Sequence, residues 1–173
     1  MDKLPFIPEH IYNRRRDIHT IYGGNWQGGI CPSATHPYIF IFSGKSGHQH
    51  GYKDGWDNPN VFTYTGEGQA GDMLFTRGNL ALRDHLRNGK RVFLFESASK
   101  GFVKFICEVE VFDADYFETH DTDGKLRIGI KFFLKKLGAS IPLYPDLTIH
   151  NSAFADPLLR LELNTPGITE RKG

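Results

Sequence analysis

The chain has 173 residues, 39% of them hydrophobic and 24% charged, with a formal net charge of +1. One domain is the expectation at this length, able to bury about 70% of its unfolded surface. No run of about 18 apolar residues occurs, so no membrane-spanning helix is expected; the near-zero charge leaves nucleic acid open, since a protein that holds a duplex through phosphates alone usually carries a basic excess. Cys31 and Cys107 stand far apart and outside any CxxC pair, which argues against a zinc module. The opening MDKLPFIPEHIYNRRR lacks the order of a signal peptide, so reduced thiols in the cytoplasm are expected. Nineteen glycines beside 14 Phe, 7 Tyr and 2 Trp suit a β-rich domain with tight turns, and equally well suit stacking surfaces.

In chain order, PYIFIFS (37–43) is β-branched and aromatic and predicts a buried strand. GKSGHQHGYKDGWDNPN (44–60) predicts a loop of about seventeen residues, a length that is usually functional. VFTYT (61–65) returns as a strand, and GEGQAGD breaks it. Asn79 is placed to cap a helix over NLALRDHLRN, with Leu82 and Leu86 on one face and Gly89 past its end. Strands follow at 91–96, 102–112 and 126–136. In FICEVEVF the apolar phase switches near Cys107, which points to a bulge or a rim strand. HDTDGKL supplies an Asp-Gly turn between the last two strands. Past Gly138 the prolines at 142, 145, 157 and 166 predict an irregular tail. The whole reads as an α+β domain on a strongly bent sheet with a few flanking helices.

Tyr52 and Tyr64 lie twelve residues apart, one in the long loop and one on the strand that closes it. Two rings brought face to face sandwich a planar base, and Asp54 or Asp57 between them can accept from an exocyclic amine such as the cytosine N4. The competing reading makes the tyrosines core residues and the aspartates turn formers. The stretch GYKDGWDNPNVFTYTGEG resembles the signature of the SRA (YDG) family of modified-cytosine readers, Gly-Tyr-x-Asp-Asp-x-Asp-x-Gly-x-x-Phe-x-Tyr-Thr-Gly-x-Gly. Gly51, Tyr52, Asp54, Asp57, Phe62, Tyr64, Thr65, Gly66 and Gly68 fall on it without a gap. Weaker matches run through Asn79, Ala81 and Leu82, GKRVFLF and GIKFFLKK, so the similarity spans about residues 20–137. With YNRRRDIH and YTGEGQAGD, the pattern is similar in particular to the SRA-like domains of prokaryotic McrA-type restriction endonucleases, which carry an HNH nuclease C-terminally; His150-Asn151 is not such a motif.

The resemblance implies a PUA-like, partly open barrel of SRA type over residues 1–140, with 141–173 a tail or linker towards a nuclease. It implies that Tyr52 and Tyr64 sandwich a flipped 5-methyl- or 5-hydroxymethylcytosine while the backbone around Thr65, Gly66 and Gly68 reads its edge. Gly55 departs from the family, which usually has there the aspartate that bonds the cytosine N4; Trp56 follows. The expectation is that Asp54 takes over that contact and that Asp57 ties the loop. The partner implied is double-stranded DNA with a modified cytosine, with an HNH domain in cis or in trans, a homodimer as an open alternative, no cofactor, and a cytoplasmic, nucleoid-associated location. By itself the chain is expected to be a binding module and not an enzyme.

Arg14, Arg15 and Arg16 can contact phosphates or form a solvated run; Arg77, before the helix opened by Gly78 and Asn79, and Arg83 are further phosphate candidates. Trp26 and Gln27 lie where the family fills the gap left by the flipped base. His48 and His50 with Asp54 and Asp57 form an alternative, metal-dependent phosphodiesterase site, and a related-fold binder of RNA or backbone-modified DNA is a third reading. GKSG lacks the earlier glycine of a phosphate loop, since position 39 is Ile39, and Glu67 with Asp72 reads better as a turn than as a catalytic pair.

Overall fold

The structure, a computed structural model, describes residues 3–44 and 54–139. Eight strands form one mixed sheet: β1 (Ile11–Asn13), β2 (Ile30–Pro32), β3 (Tyr38–Ser43), β4 (Gly55–Asn58), β5 (Val61–Thr65), β6 (Arg91–Ser99), β7 (Phe102–His120) and β8 (Leu126–Lys136). Their order is β2-β3-β6-β7-β8-β5-β4, with β1 paired to β7, and the sheet does not close. A π-type turn, Arg14–His19, runs into the short helix α1 (Thr20–Tyr22), and α2 (Arg77–Arg83) follows β5. The α+β expectation of a bent, open sheet with few helices holds.

Among the described residues only β3 and β6 pair in parallel, and this pair is covered on both faces, which is why PYIFIF and RVFLF are continuous apolar runs. Ile39, Ile41, Val92 and Leu94 face the larger core with Leu82, Phe132 and Leu134. Phe40, Phe93 and Phe95 face a second, aromatic core under Phe6 and Ile18. The phase switch read near Cys107 is a β-bulge: Leu94 opposes Cys107 and Phe95 opposes Phe105, so Ile106 is the extra residue. It moves the inward residues of β7 from Val103 and Phe105 in the aromatic core to Val109 and Val111 in the larger one. A second bulge lies between Val111 and Asp113, so Phe112 is skipped.

Several elements depart from expectation: β1 and β2 form where no strand is expected, and the helix expected over 79–88 is α2, which ends at Arg83 and leaves Leu86 exposed beyond it. The loop expected over 44–60 ends in strand β4, which pairs with β5 as a hairpin. β7 runs eight residues beyond the expected 112 and holds β8 by eleven paired positions to the Asp121–Lys125 turn.

Candidate functional site

The signature segment folds as the β4–β5 hairpin. Asp54, just ahead of β4, accepts from the Thr65 amide through Oδ1 at 2.7 Å. Asp57 points outward from β4, and its Oδ2 accepts from the Thr63 hydroxyl at 2.6 Å. Asp54 therefore makes the backbone tie that was expected of Asp57. A Cβ at Gly55 would meet nothing within 4 Å, so the family departure leaves open space there. Trp56 is exposed on β4, edge-on to Phe62 at 5.1 Å, with the Lys136 ammonium 5.1 Å from its ring centre.

Tyr64 is not an open stacking face. The β5–β8 register sets Tyr64 opposite Phe132 and Phe62 opposite Leu134, turning both β5 side chains into the larger core. Tyr64 is 3% exposed, and its hydroxyl lies 2.9 Å from the Gly29 carbonyl and 3.0 Å from that of Phe42. Burial holds this phenol well above its usual range. Gly29 permits the approach, since a Cβ there would stand 2.9 Å from the hydroxyl. Tyr52, the other expected ring, lies outside the described residues, as do His48 and His50.

After Thr65 the chain turns through Gly66 and Gly68, and Asn79 clamps that turn. Its Oδ1 accepts from the Glu67 amide at 2.9 Å, and its Nδ2 donates to the carbonyls of Glu67 at 2.9 Å and Leu74 at 3.0 Å. Asn79 is thus buried inside α2 and bound to this turn; the cap position is Thr76, and neither the expected cap nor a phosphate contact from this amide is what the structure shows. A Cβ at Gly66 would stand 2.9 Å from Asn79 Oδ1, which is why the signature glycine is needed. Sequence reasoning missed Arg127, a buried β8 residue whose Nη1 donates to the carbonyls of Gly68 at 2.6 Å and Gly71 at 3.1 Å. A cation in an alternating strand gives no signal that it faces a loop. Glu67 Oε1 is buried without a hydrogen-bond partner, against Gly78. Burial pushes its carboxyl up, opposed by Arg77.

The basic candidates separate. Arg83 is buried, forks onto Asp84 at 2.7 and 2.9 Å and lies against the Phe75 ring, so it is a packing residue and not a phosphate contact. Arg77 is exposed and holds a left-handed backbone, φ +48°. Arg14 turns inward over the Phe42 ring, 3.6 Å from its centre, and donates to His19 Nε2 and the Gly28 carbonyl. It pins the 23–29 segment together with Cys31, whose thiol donates to the Asn25 carbonyl and is pushed up to about 11 by burial. Arg16 pairs with Asp17, leaving Arg15 to stack on the exposed Trp26 at 4.9 Å.

Two adjoining clefts connect these residues. One, of about 250 Å³, is walled by Gln27, Gly28, Gly29, Phe42, Ser43 and Gly44, backed by the carbonyls that Tyr64 bonds. The second shares Arg14 and Gln27 with it and continues outward past Trp26. Among the described residues, no three His, Cys, Asp or Glu side chains group to hold a metal ion, and no helix is long and apolar enough to cross a membrane.

No match to this sequence is found among curated proteins. Solved structures with similar folds include the sulfur-binding and SRA domains of ScoMcrA complexed with phosphorothioated DNA, at TM-score 0.63 and 19% identity over 87% of this chain and 46% of that one. The type IV phosphorothioation-dependent restriction endonuclease ScoMcrA matches at TM-score 0.63 and 22% identity, over 79% of this chain and 29% of that one. The SUVH5 SRA domain in complex with methylated CHH DNA matches at TM-score 0.55 and 22% identity, over 82% of this chain and 97% of that one. This chain spans less than half the length of the ScoMcrA chains. The sequence-family model of the ScoMcrA-like SRA domain matches residues 8–151, from ahead of β1 to beyond β8. With the open mixed sheet and the signature hairpin in place, the chain belongs to the ScoMcrA-like SRA domain family.

Proposed function

We propose that this chain reads 5-methyl- or 5-hydroxymethylcytosine in double-stranded DNA by flipping the base out, as the recognition domain of a modification-dependent restriction system. The observation that carries this reading is the Asp54–Thr65 bond. It fixes the backbone that follows Thr65 beside the open space at Gly55, where a flipped base can present its edge. Tyr64 then anchors β5 from the core side, Tyr52 serves as the ring that stacks on the base, and Trp56 and Asp57 form the rim. Arg77 and Arg15 meet phosphates, with Trp26 and Gln27 at the duplex. Cleavage belongs to an HNH nuclease in cis or in trans. The family relation supports this reading, as do the similar folds of SUVH5 and ScoMcrA, whose structures hold methylated and phosphorothioated DNA.

The test is equilibrium binding to duplexes identical except for one cytosine that is plain, methylated or hydroxymethylated, with a fourth duplex bearing a phosphorothioate. Tight binding to a modified cytosine, lost in Tyr52→Ala, is the expected result, since base stacking contributes about 1–3 kcal/mol. Tyr52 is the clean probe because Tyr64→Ala would also excavate the core. Equal affinity for all cytosine forms overturns the reading. Preference for the phosphorothioate alone would move recognition from the base to the backbone, the chemistry named for ScoMcrA.

A further inference from the structure

The outer cleft, of about 620 Å³, has a second wall that the signature does not touch. β1 pairs with β7 so that Asn13 opposes Phe102, and the Arg14 amide donates to the Gly101 carbonyl at 3.0 Å. This pairing sets the tip of the β6–β7 hairpin, Lys100 to Phe102, against Asn13, Arg15, Trp26 and Gln27. Trp26 is 46% exposed and Phe102 38%. Among the described residues no carboxylate lines the cleft, and neither Arg15 nor Lys100 has an ion pair. One face of the Trp26 indole carries the Arg15 guanidinium, so a planar group on the other face would extend an existing stack.

Two cations without an ion pair among the described residues, exposed rings, and neutral amide donors at Asn13 and Gln27 match one ligand chemistry: a nucleic-acid strand with a phosphate and an unstacked base. We infer that the β6–β7 hairpin tip and the Trp26 segment form a second DNA-binding element, separate from the base pocket. There Lys100 and Arg15 hold a backbone phosphate of the strand leaving the pocket, and Trp26 stacks on an unpaired or exposed base. The outer cleft runs into the inner one, since Arg14 and Gln27 line both, and the inner cleft lies against the Gly29 and Phe42 carbonyls that Tyr64 bonds. This inference rests on the chain being a DNA reader, but it assigns affinity, not modification preference, to the hairpin tip.

The experiment measures Lys100→Glu and Trp26→Ala against the parent on modified and plain duplexes over a range of salt, with melting temperatures alongside. Both side chains are exposed, so both variants are expected to melt with the parent. Lys100→Glu should weaken binding to both duplexes by the same factor, about tenfold, and lower the slope of log affinity against log salt by about one. Trp26→Ala should lose a similar factor and should remove the Trp26 share of the fluorescence quenching that DNA produces in the parent, leaving the share of Trp56 at the pocket rim. The ratio of modified to plain affinity should stay as in the parent, the opposite of Tyr52→Ala. Unchanged affinity and salt slope in both variants, on DNA that the parent binds, overturns the second element while leaving the base reader standing. Quenching of undiminished amplitude in Trp26→Ala also overturns it. A parent that binds neither duplex overturns both readings together.

Discussion

At position 55 the missing side chain is a lack of chemistry and not of room, because an added Cβ meets nothing within 4 Å. Gly55→Asp should therefore fold like the parent and place a carboxylate acceptor where the family has one. A hydrogen bond to a charged group contributes about 1.5–3 kcal/mol. Affinity for methylcytosine DNA is thus expected to rise about tenfold while that for plain DNA stays, as read by titration of both duplexes. Glu67 has the opposite problem, a carboxylate oxygen buried without a donor. Its folded pKa lies above the unfolded 4.5, raised by burial against the pull of Arg77. The folded protein then holds the proton longer than the unfolded chain does. The resulting stability is full below pH 4.5 and is lost as pH rises through the raised folded value. Glu67→Gln should melt higher than the parent at pH 7 and show a smaller decline in melting temperature from pH 4.5 to 7. The same melting curve in both proteins would mean that Glu67 finds a donor in solution.

Among the elements, α2 is anchored by its interior and not by a cap. Three hydrogen bonds run from Asn79 to the turn that follows β5 and to Leu74. Asn79→Ala should lower stability by about 1–3 kcal/mol, by stranding a buried amide and two carbonyls. DNA affinity should fall with it, since the Gly66–Gly68 backbone loses its clamp; an unaltered affinity would separate that turn from recognition. Several such roles were out of reach of the sequence. Strands β3, β5 and β6 were legible because β-branched and aromatic runs are local. β1 and β2 are three residues each, and β4 lies in a glycine- and aspartate-rich stretch, so all three owe their existence to partners far along the chain. Tyr64 was legible as a motif residue, but its direction depends on register with Phe132 on β8, 68 residues away. Arg83 reads as a surface cation and is buried because Asp84 and Phe75 meet it.

For the whole molecule, the composition foretold a bent, glycine-punctuated sheet, and the signature residues fold as the β4–β5 hairpin. The arrangement that surrounds the site comes from long-range pairing, and most of it passes through β7. That strand has 19 residues, pairs with β1, β6 and β8, and contributes to both cores. Neither core can come apart without breaking its neighbour's hydrogen bonds, so the two should behave as one cooperative unit. The backbone amides of β7 that face β6 and β8 are then expected to exchange with deuterium only through global unfolding, with one common opening free energy on both sides of Ile106. Two separate values along β7 would show two foldons joined at the bulge. Shared opening would also mean that strain applied at the hairpin tip by DNA is felt along the whole strand, 19 residues down to its far end at His120.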